Sequence, residues 1–382
     1  MIRRRLTLLT TAATLVAAAA SAAPVQATER REPATVTIST LGNGHGKGLS
    51  QYGARNRAED GQTYPQIVEH YYPNTSWGTA GGSVRVLLTA APQGSVVVAA
   101  RPRLTARSLG TGTSWTLPSK RDGKTVTRWR IRRDGGSSRI AYRTRSWHDW
   151  KRARGDAEFV AGGRPITLIG AGQYRGALRH TSAGTVNVVG LESYLRGVVA
   201  EEIPASWSSA AVRAQAVAAR TYAAFERGNV SSGRPYDLCD TASCQVYAGV
   251  AGEVPGSDAA VAATSGRIAT YEGAPVFAQF SASNGGYSVD GGYPYLVAET
   301  DPYDHGYPGD PHSTSFTGDQ ITRHWTGLGD LVSVEVLERD GNGPFGGRVL
   351  TVQINGTERS QVTSGSALRT YLGLRTTLFT VS

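Results

Sequence analysis

The chain has 382 residues and a formal charge of +10, from 40 Lys and Arg against 30 Asp and Glu. With 40% hydrophobic residues and a mean hydropathy of −0.28 it is a globular chain rather than a disordered one, long enough for one large domain or two modest ones. Two cysteines exclude a disulfide-dense scaffold, a four-cysteine zinc site and an iron–sulfur cluster.

Arg3, Arg4 and Arg5, the apolar run Leu6–Ala20 and the small-residue site Val25-Gln26-Ala27 form the three parts of a secretory signal over 1–27. An uncleaved anchor is the alternative, because Leu6–Ala23 is about long enough to span a bilayer. Alanine-rich spans insert weakly, so cleavage is the expectation; losing three arginines takes the +10 to +7. No later stretch is apolar enough to cross a membrane. The expected location is secreted or cell-wall, where a basic surface meets anionic wall polymers or phospholipid headgroups rather than nucleic acid.

After a polar linker over 28–34, Thr35–Thr40 alternates at period two and reads as a half-buried strand. It runs into the glycine loop Gly42-Asn-Gly-His-Gly-Lys-Gly48. A helix over Ser50–Glu59 follows, with Ser50 a suitable N-cap, and Thr63 can cap a second helix that ends before Tyr71. From Val84 to Val189 short strands broken by Gly, Pro and Ser predict a β-rich subdomain, 84–189. In its clearest strand, Val126–Arg132, Trp129 and Ile131 point one way and Arg128, Arg130 and Arg132 the other. That arginine row reads either as a polyanion stripe or, more plainly, as a solvated strand face. The strongest helix is Trp207–Arg227, with Val212, Ala216, Ala219 and Ala223 on one face and Ser206 or Ser208 as cap. Pro204 biases Ile203 away from helix, so Glu201-Glu202-Ile203 lies in the turn before it. The last third returns to strands: Gly266–Tyr271, Val276–Phe280, Val332–Glu338, Val349–Ile354 and Leu378–Val381. The fold class is α+β: a mixed, β-rich domain with a few short helices, one main helix after the Glu-Ile-Pro turn, and an all-β subdomain.

A carboxylate after the apolar Val198-Val199-Ala200 is a candidate general acid, since desolvation raises its pKa and an acid must hold its proton near neutral pH. Glu201 and Glu202 diverge as neighbours, so at most one faces a cleft; the alternative is a solvated pair favoured by the helix dipole. The glycine loop lacks the Gly-Lys-Ser/Thr ending of a phosphate-binding loop. Its glycines instead allow close backbone approach with His45 held in place, and Ser50-Gln51-Tyr52 beside it suits sugar binding or acid orientation. Cys239 and Cys244 read as a disulfide in an exported chain, with zinc as the alternative, although no histidine lies nearby in sequence. There is no Gly-x-Ser-x-Gly and no His-Glu-x-x-His.

Several segments together resemble one family. They are Glu192-Ser-Tyr-Leu-Arg-Gly-Val-Val-Ala-Glu-Glu-Ile-Pro-Ala-Ser-Trp207, Ala214-Gln-Ala-Val-Ala-Ala-Arg-Thr-Tyr-Ala223, Tyr236-Asp-Leu-Cys-Asp240, Cys244-Gln-Val-Tyr247, Ser283-Asn-Gly-Gly-Tyr287, Asp301-Pro-Tyr-Asp304 and Gly44-His-Gly-Lys-Gly-Leu-Ser-Gln-Tyr-Gly-Ala54. This set is similar to the stage II sporulation protein D family (SpoIID/LytB), which includes lytic transglycosylases and amidase enhancers, and it runs over a catalytic domain of 35–382. The resemblance implies a transglycosylase that cuts peptide-stripped glycan strands between N-acetylmuramic acid and N-acetylglucosamine, without a cofactor. The family's Glu-Met-Pro acid aligns with Glu202 of Glu202-Ile203-Pro204. The resemblance also suggests that His45, Ser50, Gln51 and Tyr52 line the glycan groove, that Gln215, Arg220 and Tyr222 brace the acid, and that Ser283 and Asn284 bind acetamido groups; for each the alternative is a structural role, core packing for Tyr222 and a buried ion pair for Arg220. Partners would be glycan strands and, in the enhancer reading, a cell-wall amidase; the alternative function is a non-catalytic enhancer or glycan-binding module.

Two departures stand out. The glycine–histidine motif usually sits near the family's C-terminus but here precedes the rest. That is tolerable if Thr35–Thr40 lies beside Leu378–Val381, which predicts that His45 and Glu202 converge. Some relatives also use a histidine just before the second cysteine to bind zinc, where this chain has Ser243, so a disulfide and no metal are expected.

Overall fold

A computed structural model describes residues 35–382; the signal over 1–27 and the linker over 28–34 lie outside the described residues. Helices and strands are intermixed, as an α+β chain requires. Thr35–Thr40 is the middle strand of a three-stranded antiparallel sheet, between His312–Thr317 and Phe379–Val381. Ile38 faces Val381 in register, and the Thr37 N–H donates to the Ser382 carbonyl at 2.8 Å. The first described strand and the last one are therefore neighbours, which brings the glycine loop next to structure built from the other end of the sequence.

Besides a two-stranded sheet, Lys120–Arg121 with Lys124–Thr125, the region 84–189 forms strands of two large sheets. One orders Leu238–Cys239, Ser83–Leu87, Gly184–Gly190, Ala177–Thr181, Ala157–Val160, Thr105–Ser108 and Ser114–Thr116. The other orders Trp147–Arg154, Ser137–Arg143, Arg128–Asp134, Val96–Ala99, Ile166–Leu168 and Gly172–Tyr174. Period-two alternation holds in the arginine strand: Trp129 and Ile131 are buried, Arg128 and Arg130 half-buried, Arg132 exposed. These strands share one apolar core with the helices. A second, separate core joins Val36, Ile38, Phe316, Val352, Leu368 and Phe379 beneath the sheet Leu331–Arg339, Val349–Gly356, Ser360–Ser364 and the helix Gly365–Leu372.

The main helix spans Ser209–Gly228, with Ser208 at its N-cap position. The expected face, Val212, Ala216, Ala219 and Ala223, is buried, but Ala211, Ala214, Val217 and Ala218 are buried too. Small side chains let the helices Gln51–Glu59, Tyr64–Tyr71 and Pro255–Ala263 and the strand Arg267–Tyr271 approach from several sides, so one stripe becomes almost a full circumference.

Candidate active site

The cavity is built on the glycine loop. Gly42, Gly44, Gly46 and Gly48 all have positive φ, from 62° to 109°. At Gly44 a Cβ would lie 2.5 Å from the Ser281 Cβ, and at Gly48 2.1 Å from the Gln279 carbonyl oxygen, so side chains are excluded by contact as well as by conformation. The loop is stitched to the segment 279–283: Asn43 and Ser283 exchange backbone hydrogen bonds at 3.0 and 3.1 Å, and Leu49–Ser50 pairs in parallel with Phe280–Ser281. Gly48→Ala is expected to cost about 1–3 kcal/mol from backbone strain alone, and more from the clash. A lowered Tm with faster proteolysis around residue 48 checks this.

Glu202 ends a single helical turn, Val199–Glu202; Ile203 beyond it is extended, at φ −140° and ψ 140°, as the following proline demands. The turn exposes Glu201 and half-buries Glu202, separating two residues that are equivalent by spacing. Burial raises the Glu202 pKa above the ordinary carboxylate value, opposed by the Val246 N–H that donates to Oε1 at 3.0 Å and reinforced by the charge of Glu201. Val246 is placed by the adjoining Cys239–Cys244 disulfide, whose Cα atoms are 5.5 Å apart. With both sulfurs joined and Ser243 in the histidine's place, the donor set does not fit zinc.

Around Glu202 lies a cavity of about 430 Å³, walled by Asn43, Gly44 and His45, by Gln51, by Tyr222, by Ala242–Cys244, by Gln279–Ala282 and by Arg369. His45 and Glu202 thus open onto one space. Burial pushes the Tyr222 hydroxyl up to about 12, aided by Glu226 and Glu202, so it remains a donor at every working pH. His45 stands at the rim, in contact with solvent. Desolvation by the walls, then the charges of Lys47, Arg348 and Arg369, lower its pKa, against the Phe280 carbonyl. The Lys47 N–H donates to Nδ1 at 3.0 Å, which leaves a neutral ring with its proton on Nε2. Arg369, on the helix Gly365–Leu372, is the cation of the wall. Its Nε donates to the Leu374 carbonyl at 3.3 Å, and it makes no salt bridge among the described residues. No motif marks Arg369; only the packing of the second core against the first brings it here.

Other residues expected at the groove lie elsewhere. Ser50 is buried and caps its helix, its Oγ accepting from Gly53 N–H at 3.1 Å. Tyr52 is outside the cavity wall, edge-on to Trp207 and Tyr307 at 4.9 and 5.0 Å. It reaches the site through Asn43, whose Nδ2 donates to the Tyr307 hydroxyl at 2.6 Å. Gln215 is fully buried on the main helix and does not reach the wall. Arg220 is fully buried but braces Glu192, at 2.7 Å, rather than the acid, and donates to the carbonyls of Val261 and Arg267. Removing its partner strands a buried charge: Glu192→Ala is expected to lower stability by about 3 kcal/mol, measured by denaturant unfolding.

Ser283 and Asn284 are buried and do not line the cavity. The Ser283 hydroxyl donates to Asp304 at 3.0 Å and Asn284 Nδ2 donates to Asp301 at 3.0 Å. Asp301 also accepts from the Tyr71 hydroxyl at 2.7 Å and from Arg57 at 3.0 Å. Burial and the neighbouring Asp301 push the Asp304 carboxyl up to about 6. Side chains able to hold so many donors and acceptors in a dry space act as framework, here for the adjoining wall 279–282.

Residues 179–271, which hold Glu202, the main helix and the disulfide loop, match the family described as Stage II sporulation protein (SpoIID). Stage II sporulation protein D of Bacillus amyloliquefaciens is 30% identical over 52% of this chain and 62% of its own length. The protein of that name from Bacillus subtilis (strain 168) is also 30% identical, over the same shares. Residues 179–271 thus carry a SpoIID-family segment. The amidase enhancer of Bacillus subtilis (strain 168) is 38% identical over 29% of this chain, but only 15% of that relative is covered. The alignments thus span about three-fifths of the SpoIID relatives and a small part of the enhancer. His45 and Arg369 come from outside the matched SpoIID region, so the cavity is completed by the flanking parts of the chain. Among the described residues no helix is long and apolar enough to cross a membrane.

Proposed function

We propose that this protein is a SpoIID-type, exported lytic transglycosylase that cleaves peptide-stripped peptidoglycan strands, with Glu202 as its single acid and base. The observation that carries the reading is one half-buried carboxyl of raised pKa in a cavity whose described wall holds no second carboxylate. A hydrolytic glycosidase uses two. A transglycosylase needs one, because the substrate brings its own nucleophile.

Protonated Glu202 gives its proton to the oxygen linking muramic C1 to the next glucosamine, and that C1–O bond breaks. The muramic C6 hydroxyl oxygen then bonds to C1, and its proton passes to the Glu202 carboxylate. The acid is regenerated, and the product carries a 1,6-anhydro ring. Intramolecular attack spares the entropy of capturing a water. Tyr222 and Gln51 offer hydrogen-bonding groups to the sugars. Arg369 takes the one anionic group of a stripped strand, the lactyl carboxylate, as a bidentate pair.

The test is digestion of peptide-free strands followed by mass spectrometry. Anhydro ends support the reading, and reducing ends without anhydro sugar overturn it. Because the chemistry begins with a protonated acid, kcat should fall as pH rises through the Glu202 pKa, with an alkaline limb above the ordinary carboxylate range. A limb at the ordinary value would remove the tuned-acid argument. The likeness to an amidase enhancer favours a second reading, glycan binding that recruits an amidase. That activity should survive Glu202→Gln and vanish when the amidase is omitted.

A further inference from the structure

The arginine row on Arg128–Asp134 has an unusual electrostatic setting. At one end of its sheet the arginines are compensated: Arg139 pairs with Asp134 at 2.7 Å and Asp149 at 3.0 Å, Arg133 with Asp156 at 3.2 Å, and Arg152 with Asp134 at 3.7 Å. At the other end Arg128, Arg130 and Arg143 make no salt bridge among the described residues. Arg128 and Arg143 are nonetheless direct cross-strand neighbours, an arrangement in which like charges repel.

These three side chains do not splay into solvent. They line a pocket of about 290 Å³ together with Trp147, Ser95 and an apolar floor of Pro92, Val97 and Ile169. The Arg130 guanidinium lies over the Trp147 ring, 4.3 Å from its centroid, which orients the fork. Its Nε is buried with no hydrogen-bond partner. Asp149, exposed two strands away and paired with Arg139, is the one carboxylate that acts on Arg130. These convergent, half-buried guanidinium groups thus have no salt-bridge partner of their own among the described residues and are open to an anion. Arg128, Arg130 and Arg132 recur at every second residue, about 7 Å apart along a strand, a spacing suited to charge that repeats along a chain.

We propose that this pocket is a second binding site, for a phosphodiester-linked polyol chain. Phosphate oxygens match the planar guanidinium fork. The carbon backbone between phosphates fits the floor of Pro92, Val97 and Ile169 and the Trp147 ring. The site is independent of the glycan-cleaving reading: its residues are absent from the Glu202 cavity and no step of the cleavage uses them.

The probe is a short synthetic poly(glycerol phosphate) oligomer, titrated into the full mature chain by calorimetry. Wild type should bind it with an affinity that falls as salt rises. Arg130→Ala/Arg143→Ala should bind roughly tenfold or more weakly, and Trp147→Ala should also weaken binding. A charge-matched control, Lys120→Gln/Arg323→Gln, should bind as wild type does. Equal loss in that control would mean diffuse attraction and would overturn the site. So would unchanged binding by the arginine variant, equal affinity for polyglutamate of the same charge, or binding to phosphatidylglycerol vesicles without binding the soluble oligomer. If the double variant fails to fold by circular dichroism, Arg130→Lys, which keeps charge but loses the fork, decides by the same readout. Glycan cleavage should be unaffected in every variant.

Discussion

Glu202→Gln is expected to lower release of anhydro-ended fragments by about 10²–10⁴-fold, the usual contribution of general acid–base catalysis. Binding of stripped glycan should change little. The amide keeps the shape of the side chain and can still accept from the Val246 N–H, now 3.0 Å from Oε1, but it has no proton of suitable acidity to give. The same substitution should not destabilise the fold. Because the folded-state pKa is raised, Glu202 favours the folded state only when protonated: that contribution is whole below the unfolded value of 4.5 and is lost as pH rises through the higher folded value. At neutral pH the buried carboxylate therefore works against folding, and Tm of the glutamine variant should equal or exceed that of the parent. A variant that lost activity together with several degrees of Tm would point to a structural carboxylate instead.

The second large effect concerns which strands are cut. Arg369→Ala is expected to lower kcat/KM on peptide-stripped strands roughly ten- to hundredfold, from the loss of about 1.5–3 kcal/mol in a charged hydrogen-bonded pair, with most of the change in KM. Stripped strands whose lactyl carboxyls have been converted to amides supply the decisive comparison. The parent should discriminate against them by a similar factor, and Arg369→Ala should cut both alike. Titrating the two strands into Glu202→Gln protein measures the same preference without cleavage, so a failed cleavage mechanism and a failed arginine assignment give different results. Equal affinity of the Glu202→Gln protein for the two strands would show that Arg369 does not read the carboxylate. A neutral His45 sharpens the selection, because Arg369 is then the positive charge that the cavity wall presents.

Features that depend on a few adjacent residues were legible without a fold. Pro204 forces Ile203 to be extended and ends the turn at Glu202, and both angles follow from covalent sterics. The loop at 42–48 needs glycine for reasons of backbone conformation, and all four glycines have positive φ. Alternation placed Trp129 inward and Arg128 outward. The pairing of Thr35–Thr40 with the last strand was inferred from the displaced position of the His45 motif, and the register Ile38–Val381 realises it.

The roles of polar residues depend on partners that a sequence does not display. Ser50, Ser283, Asn284 and Arg220 carry the same chemistry whether they bind a sugar or brace a wall. Each is in fact buried against a protein partner: Gly53, Asp304, Asp301 and Glu192 in turn. Polar side chains near a site are held in place by other polar side chains, and a recurring motif marks both kinds equally.

By itself, then, the sequence determined the α+β class, the basic and glycine-rich character, the strained loop at His45 and the position of Glu202 before a proline-bounded helix. Those are consequences of local stereochemistry and composition. Only the tertiary structure decided that Glu202 is half-buried while Glu201 is exposed, that His45 shares its cavity, and that Arg369, more than 160 residues from Glu202 along the chain, supplies the wall's charge. Desolvation and the meeting of opposite ends of a chain arise from packing, and no window of sequence contains them.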